Sequence, residues 1–479
     1  MRFIIPRRTS LTCSYHAEGI LDGVGGISKR MLLYLAGIGP AVNSLLVRRD
    51  ASRDITAEMN PYIGWRLTAA QSLTATLVAL SIITILTSWR NGFLNRNRGV
   101  LLVGGLLFFA GPIISAALDA FSSSWQELLT APLVLAAFCL GRPLPLKRTI
   151  SDVRRIARIY AWGSLLSIIV APDWAFEQLT SAAHLGIYRD YLGLGVGRLI
   201  GFTTHPNLLG PVAAISLALE VHPLFRLRGW VFHALAAGAV LLLTQSRTAW
   251  ICLIALLYFQ RVHARQRHGI PKFALFMSCV SLLAAALLMD NKTQMLLAGP
   301  MIDGEIGTLN GRTLAWNYAM AELRQNPLTG YGPTLFSIDY RMEVMRDPSL
   351  FWVGQAHNQA LQTLGAYGII GFIGLISFLS VMLVHSKRLS RETGGLLLAL
   401  QVMILIRCLT ESPMERLGGL SCNLMLLALN WALLLSAQEH RPPGDEASLS
   451  SAPATSGTDG SARRMSAAAC RAPVSHAPA

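Results

Sequence analysis

The chain has 479 residues, a formal net charge of +15, a mean hydropathy of +0.45, 52% hydrophobic residues and only 14% charged ones. That is too apolar for a soluble protein of this length. The positive charge does not point to nucleic acid, because Lys and Arg fall in short loops between apolar runs and form no basic stripe.

The apolar runs are about 17–25 residues long, and a helix of roughly 20 residues crosses the hydrocarbon core without leaving backbone groups unpaired. They predict an all-α polytopic membrane protein with spans near 31–47, 68–88, 99–118, 124–141, 157–172, 203–221, 229–245, 248–260, 273–290, 359–384, 394–410 and 418–436. Residues 1–30 carry Arg2, Arg7, Arg8, Lys29 and Arg30 but no apolar core of the kind a cleaved signal peptide needs, and read as a cytoplasmic segment ahead of a bundle over 31–290. Twelve spans put both termini on one side. The loops holding Arg90, Arg142 to Arg158, Arg226, Arg261 to Lys272 and Lys387 to Arg391 fall on that side, which the positive-inside rule makes cytoplasmic. Arg48, Arg49 and Arg53 fall on the other side and favour an alternative count of eleven, with the N-terminus outside.

The longest hydrophilic interruption, 291–358, is too long for a connector and lies outside the cytoplasm by the same count, as one large periplasmic loop. A second bundle follows over 359–436. Residues 437–479, rich in Ala, Ser, Pro and Gly, read as a disordered cytoplasmic tail. Of seven cysteines, Cys139, Cys252, Cys279, Cys408 and Cys422 lie in or at the ends of apolar runs with no metal-like spacing, as small hydrophobes do.

Four polar motifs interrupt this background. In Arg198-Leu-Ile-Gly201-Phe-Thr-Thr-His205-Pro206-Asn207 the proline opens an apolar run, as at a helix's first turn. Gln245-Ser246-Arg247-Thr248 is a tight break between two helices, where an arginine either serves the site or snorkels to the interface. Asn310-Gly311-Arg312 opens a predicted amphipathic helix over 312–324, with Trp316, Met320 and Leu323 on its apolar face and Asn326-Pro327 ending it. An arginine at a helix N-terminus makes an anion site, although a surface cap would look the same. Gln355-Ala356-His357-Asn358-Gln359 stands where the loop re-enters the membrane, and a histidine there is either structural or a general base.

Arg, Gly and Pro-Asn, then Ser-Arg, then Gly-Arg…Trp…Asn-Pro-Leu…Gly-Tyr-Gly, then His-Asn before a run containing Gly365, Gly368 and Gly371, resemble in their order the O-antigen ligase/Wzy-type polymerase family over about 190–385. The resemblance implies a C-type glycosyltransferase-like fold in a bacterial inner membrane, acting from the periplasmic face on an undecaprenyl-diphosphate-linked saccharide donor. Arg247 and Arg312 match the family's essential arginines and His357 its loop histidine, as the catalytic set. Arg198, Asn207, Trp316 and Asn358 are expected to contact substrate. Two guanidiniums would grip the diphosphate where other enzymes use a divalent ion, so no metal and no cofactor is expected. Asp303 and Glu305, the acidic pair of the loop, read as solvent-facing.

The acceptor is another lipid-linked repeat unit for a polymerase or lipid A core for a ligase. Phe202-Thr-Thr-His205-Pro-Asn207-Leu-Leu-Gly210 with Gln245-Ser-Arg-Thr looks more like exopolysaccharide polymerases. The rival of another class is a flippase for the same lipid-linked sugars, disfavoured because the polar residues gather at one face instead of the midplane of repeated halves. A relative that glycosylates pilin-like proteins shares the pattern, and polysaccharide-assembly proteins are the expected partners. For Glu411, contact with Arg247 or Arg312 and a solvated loop position both stay open.

Overall fold

A computed structural model describes residues 11–46, 65–89, 96–118, 125–142, 144–176, 197–225, 227–264, 312–345, 353–415 and 417–439. Their main helices are α1 (Leu11–Leu46), α2 (Trp65–Trp89), α3 (Arg96–Leu118), α4 (Trp125–Leu140), α5 (Leu146–Val170), α6 (Pro206–Val221), α7 (Trp230–Thr244), α8 (Arg247–Ala264), α9 (Arg312–Gln325), α10 (Gln359–Arg388), α11 (Leu396–Thr410) and α12 (Cys422–Glu439). No strand occurs among the described residues beyond one isolated bridge, Phe176 to Leu199.

Three of these helices are long and apolar enough to cross a bilayer, over Trp65–Ser88, Asn97–Leu118 and Gln359–Arg388, and four shorter apolar helices accompany them. In the first, only 22% of the most apolar stretch is buried. Phe232 and Leu235 on α7 are 70% and 66% exposed. Surfaces this apolar demand lipid as their solvent. The chain is an all-α membrane protein. The expected span over 273–290 and the acidic pair Asp303 and Glu305 lie outside the described residues, as does Cys279.

α11 and α12 are mostly apolar and buried on nearly every face, as helices without a wet side must be. Trp431 of α12 is fully buried, stacks on Phe378 of α10 at 5.6 Å, and donates its indole N–H to Cys139 Sγ. Cys139, Cys252, Cys408 and Cys422 are buried free thiols, as expected of small hydrophobes. α3 and α10 cross closely. A Cβ on Gly111 would lie 2.6 Å from Gly371 Cα, and one on Gly374 would lie 2.5 Å from the Leu107 carbonyl oxygen.

At one end of the bundle two buried acids tie helices together. Glu220 of α6 takes the Arg158 fork at 2.7 and 2.8 Å and lies 3.7 Å from Arg154. Asp152 of α5 takes the fork of Arg30 from α1 at 2.9 and 3.0 Å.

Three boundaries differ from the sequence reading. The helix expected to start at 31 is already formed at Leu11, so part of the segment read as 1–30 belongs to α1. The tail expected from 437 begins no earlier than the end of α12 at Glu439, whose carboxylate meets Arg98 Nη2 at 2.6 Å; residues 440–479 lie outside the described set. The span expected as one helix over 359–384 is broken at Gly368, at φ 61° and ψ −159°, a conformation essentially reserved for glycine. Beyond the break, Ile369–Arg388 rises roughly 30 Å, one bilayer thickness. Before it, the helix belongs to a second, smaller core, formed by Ala315, Ala319, Leu335, Phe336, Tyr340, Met345, Val353, Ala356 and Ala366.

Candidate functional site

At the end of the bundle opposite Glu220, the starts of α6, α8 and α10 meet the finish of α11. Each terminus is shaped by its local sequence. Pro206 opens α6 behind His205, whose Nδ1 caps the Asn207 amide at 3.1 Å. Gln245 ends α7 in the left-handed region at φ 49°, so the chain turns within two residues into α8 at Arg247. Thr248 donates to Thr410 Oγ1 at 3.2 Å, which pins that elbow to the last residue of α11. Asn358 caps α10 by accepting the Leu361 amide at 3.1 Å.

Glu411 stands at the centre of this ring. It follows α11 directly and is 6% exposed. His357 Nδ1 lies 2.9 Å from its Oε2, Asn207 Nδ2 donates to its Oε1 at 2.8 Å, and Gln355 Nε2 approaches Oε2 at 3.3 Å. Burial pushes the Glu411 carboxyl up, yet the hydrogen bond and charge of His357, joined by the charges of Arg312 and His205, outweigh it and hold the group at about 2. The carboxylate is therefore ionised and can only accept. In a neutral His357 ring the proton must then sit on Nδ1, which leaves the lone pair on Nε2.

His357 is one of three described non-glycine residues with positive φ, at 49°, and Gln245 is another. Such positions cost energy and persist where the surroundings over-determine them, as the bond to Glu411 does at His357.

The expected residues are not all placed alike. Arg312 begins α9 and is half-buried within electrostatic reach of Glu411. Arg247 is exposed at the start of α8, beside the Thr248–Thr410 contact. Arg198 donates from Nε to the Thr244 carbonyl at 3.1 Å and from Nη2 to Asn207 Oδ1 at 2.7 Å, so it braces Asn207, which in turn holds Glu411. Trp316 donates its indole N–H to the Ala356 carbonyl at 2.8 Å, clamping α9 to the stretch that carries His357. Asn358 spends its side chain on the cap.

Of the two positions open for Glu411, the solvated loop charge is ruled out by its 6% exposure. On α9 the fully buried residues are Ala315, Ala319 and Glu322, while Trp316, Met320 and Leu323 are half-buried, Trp316 packing against the second core. A Cβ on Gly365 of α10 would come within 2.9 Å of Ala319, so only small side chains fit that crossing. Arg407, also missed, is 3% exposed one turn before Glu411 and donates to Asn423 Oδ1 at 3.2 Å. A charged residue near the end of an apolar run was the available signal for both. Among the described residues no cluster of His, Cys, Asp and Glu could hold a metal ion.

Residues 232–376 match the family model described as O-antigen ligase. Over this stretch the chain is similar to the O-antigen ligase family. The matched region contains Arg247, Arg312, Trp316, His357 and Asn358, and it reaches from the first turn of α7 past the break in α10. Arg198, Asn207 and Glu411 come from the flanking chain and complete the ring around it. No curated protein matches the chain. Similarity to O-antigen ligases in an all-α membrane protein supports a glycan-transfer function of the ligase/polymerase type.

Proposed function

We propose that the protein is a membrane glycosyltransferase that takes an undecaprenyl-diphosphate-linked saccharide as donor, at the periplasmic face of a bacterial inner membrane. The observation that carries this reading is the 2.9 Å bond between His357 Nδ1 and the ionised Glu411 carboxylate, set beside Arg312. With Nδ1 occupied, Nε2 takes the proton of the acceptor hydroxyl as its oxygen bonds to the anomeric carbon. The bond from that carbon to the diphosphate oxygen breaks with its electron pair leaving on the diphosphate. Arg247 and Arg312 offer planar forks to the developing charge. A single displacement of this kind inverts the anomeric centre. This reading takes twelve spans in a C-type glycosyltransferase-like arrangement with both termini cytoplasmic, so that these residues face the periplasm, where such donors are consumed.

The wording around Phe202–Gly210 and Gln245–Thr248 favours a polymerase, whose acceptor is a second lipid-linked repeat unit, over a ligase acting on lipid A core. The test is transfer by the purified protein in detergent with a defined lipid-linked repeat unit, with and without chelator, against Arg247→Ala, Arg312→Ala and His357→Ala. Chelator-resistant lengthening of the donor glycan, lost in all three variants, is expected. Transfer only on adding lipid A core makes the enzyme a ligase, and movement of donor across vesicles without transfer refutes the enzyme reading.

A further inference from the structure

The break in α10 opens four backbone groups. In a continuous helix the Ile369 amide would bond to the Gly365 carbonyl and the Ile370 amide to that of Ala366. Here both amides and both carbonyls have other partners, and all four lie in the segment Asn326–Gly332. Ile369 donates to the Pro327 carbonyl at 2.9 Å and Ile370 to that of Leu328 at 3.2 Å; Tyr331 donates to the Gly365 carbonyl at 2.9 Å and Gly332 to that of Ala366 at 2.7 Å. Ser115 of α3 closes the arrangement from below, donating to the Thr329 carbonyl at 2.9 Å.

The fit is specific. A Cβ on Gly330 would lie 2.5 Å from Ala366 C, and one on Gly368 would lie 2.3 Å from Leu328 C and O; both glycines also have positive φ. Ile369, Ile373 and Leu328 are exposed apolar side chains, so the junction sits where lipid begins and unpaired backbone groups are costly. The segment continues directly from α9, which begins at Arg312, and it seats in the helix whose N-terminal turn follows His357.

We propose that Asn326–Gly332 is a removable plug: seated, it holds α10 broken and so positions His357 and Arg312 against Glu411; withdrawn, it lets α10 close into a continuous helix that satisfies its own four groups. Ser115 and Gly368 are positioning residues that act through His357. The consequence for turnover rests on the proposed transfer reaction, whereas the exchange of hydrogen bonds does not.

The test is hydrogen exchange on the full-length protein in detergent, resolved at Tyr331 and Gly332 and at Ile369 and Ile370, with glycan transfer measured in parallel. Gly368→Ala, whose methyl collides with the seated plug but suits a continuous helix, is expected to free Tyr331 and Gly332 while Ile369 and Ile370 stay protected. Transfer should fall at least about a hundredfold. Ser115→Ala, a milder change, should speed exchange at Tyr331 and Gly332 about tenfold with a similar loss of turnover. Unchanged exchange in both variants, or loss of protection at all four amides in Ser115→Ala, overturns the plug. Freed plug amides with wild-type transfer overturn its positioning role. Absence of transfer in the wild type refutes the proposed reaction instead, and the exchange pattern still judges the plug.

Discussion

Glu411 Oε2 and His357 Nδ1, 54 residues apart in sequence, meet at 2.9 Å where the end of α11 faces the start of α10. The carboxylate is buried and still ionised, so the geometry sets which ring nitrogen carries the proton. Asn207 and Arg198 extend the same chain of hydrogen bonds to the α7 terminus. A neutral imidazole held this way has one orientation and one tautomer.

Glu411→Gln keeps the shape but lets the amide either donate or accept, so the ring loses its fixed tautomer. Turnover is expected to fall by about 10²–10⁴-fold, with donor affinity changed far less. The group also leaves a mark on stability. Its folded pKa, about 2, lies below the ordinary 4.5, so its contribution is complete above about pH 4.5 and is lost as pH falls towards 2. Thermal unfolding of the wild type should weaken across that window more steeply than that of Glu411→Gln.

Arg312→Lys is expected to lose nearly as much turnover as Arg312→Ala, about 10²–10³-fold for each, because lysine keeps the charge but not the fork that spans two phosphate oxygens. Steady-state transfer with a defined donor decides it. Full activity in the lysine variant would mean that charge alone suffices.

Gly111→Ala places a methyl 2.6 Å from Gly371 Cα, against backbone that cannot yield. It should cost about 1–3 kcal/mol through separation of α3 from α10. Gly99→Ala, on the same helix with nothing within 4 Å of the new methyl, should be neutral or slightly stabilising. Equal melting temperatures for the two variants would contradict the close crossing.

Glu220→Leu strands Arg154, 3% exposed, without its acid, and should destabilise by about 3–5 kcal/mol. Arg158→Leu should cost less, because Glu220 keeps Arg154 at 3.7 Å. Thermal scans of the two variants in one detergent compare them directly.

The helices were legible in the sequence because lipid imposes one rule on every crossing: a long apolar run with its backbone bonds satisfied internally. The first turn expected at Pro206, the break expected at Gln245–Thr248 and the helix start expected at Arg312 followed from proline, Ser-Arg and Gly-Arg punctuation that acts within a turn or two of chain. The order of the polar motifs also marked the region that is similar to O-antigen ligases. What the sequence could not show was which of these termini meet. Glu411 looked like any acid at the end of an apolar run until the starts of α6 and α10 closed over it. Arg198, read as a substrate ligand, also donates to the Thr244 carbonyl and to Asn207, contacts that no local pattern announced. The break at Gly368 was hidden inside a run apolar enough for one continuous span. There a segment 34 to 42 residues earlier supplies the backbone partners that a helix normally finds four residues away. Periodicity and capping are local and can be read along the chain, whereas a shared carboxylate and a borrowed set of hydrogen bonds come into being only when distant segments pack.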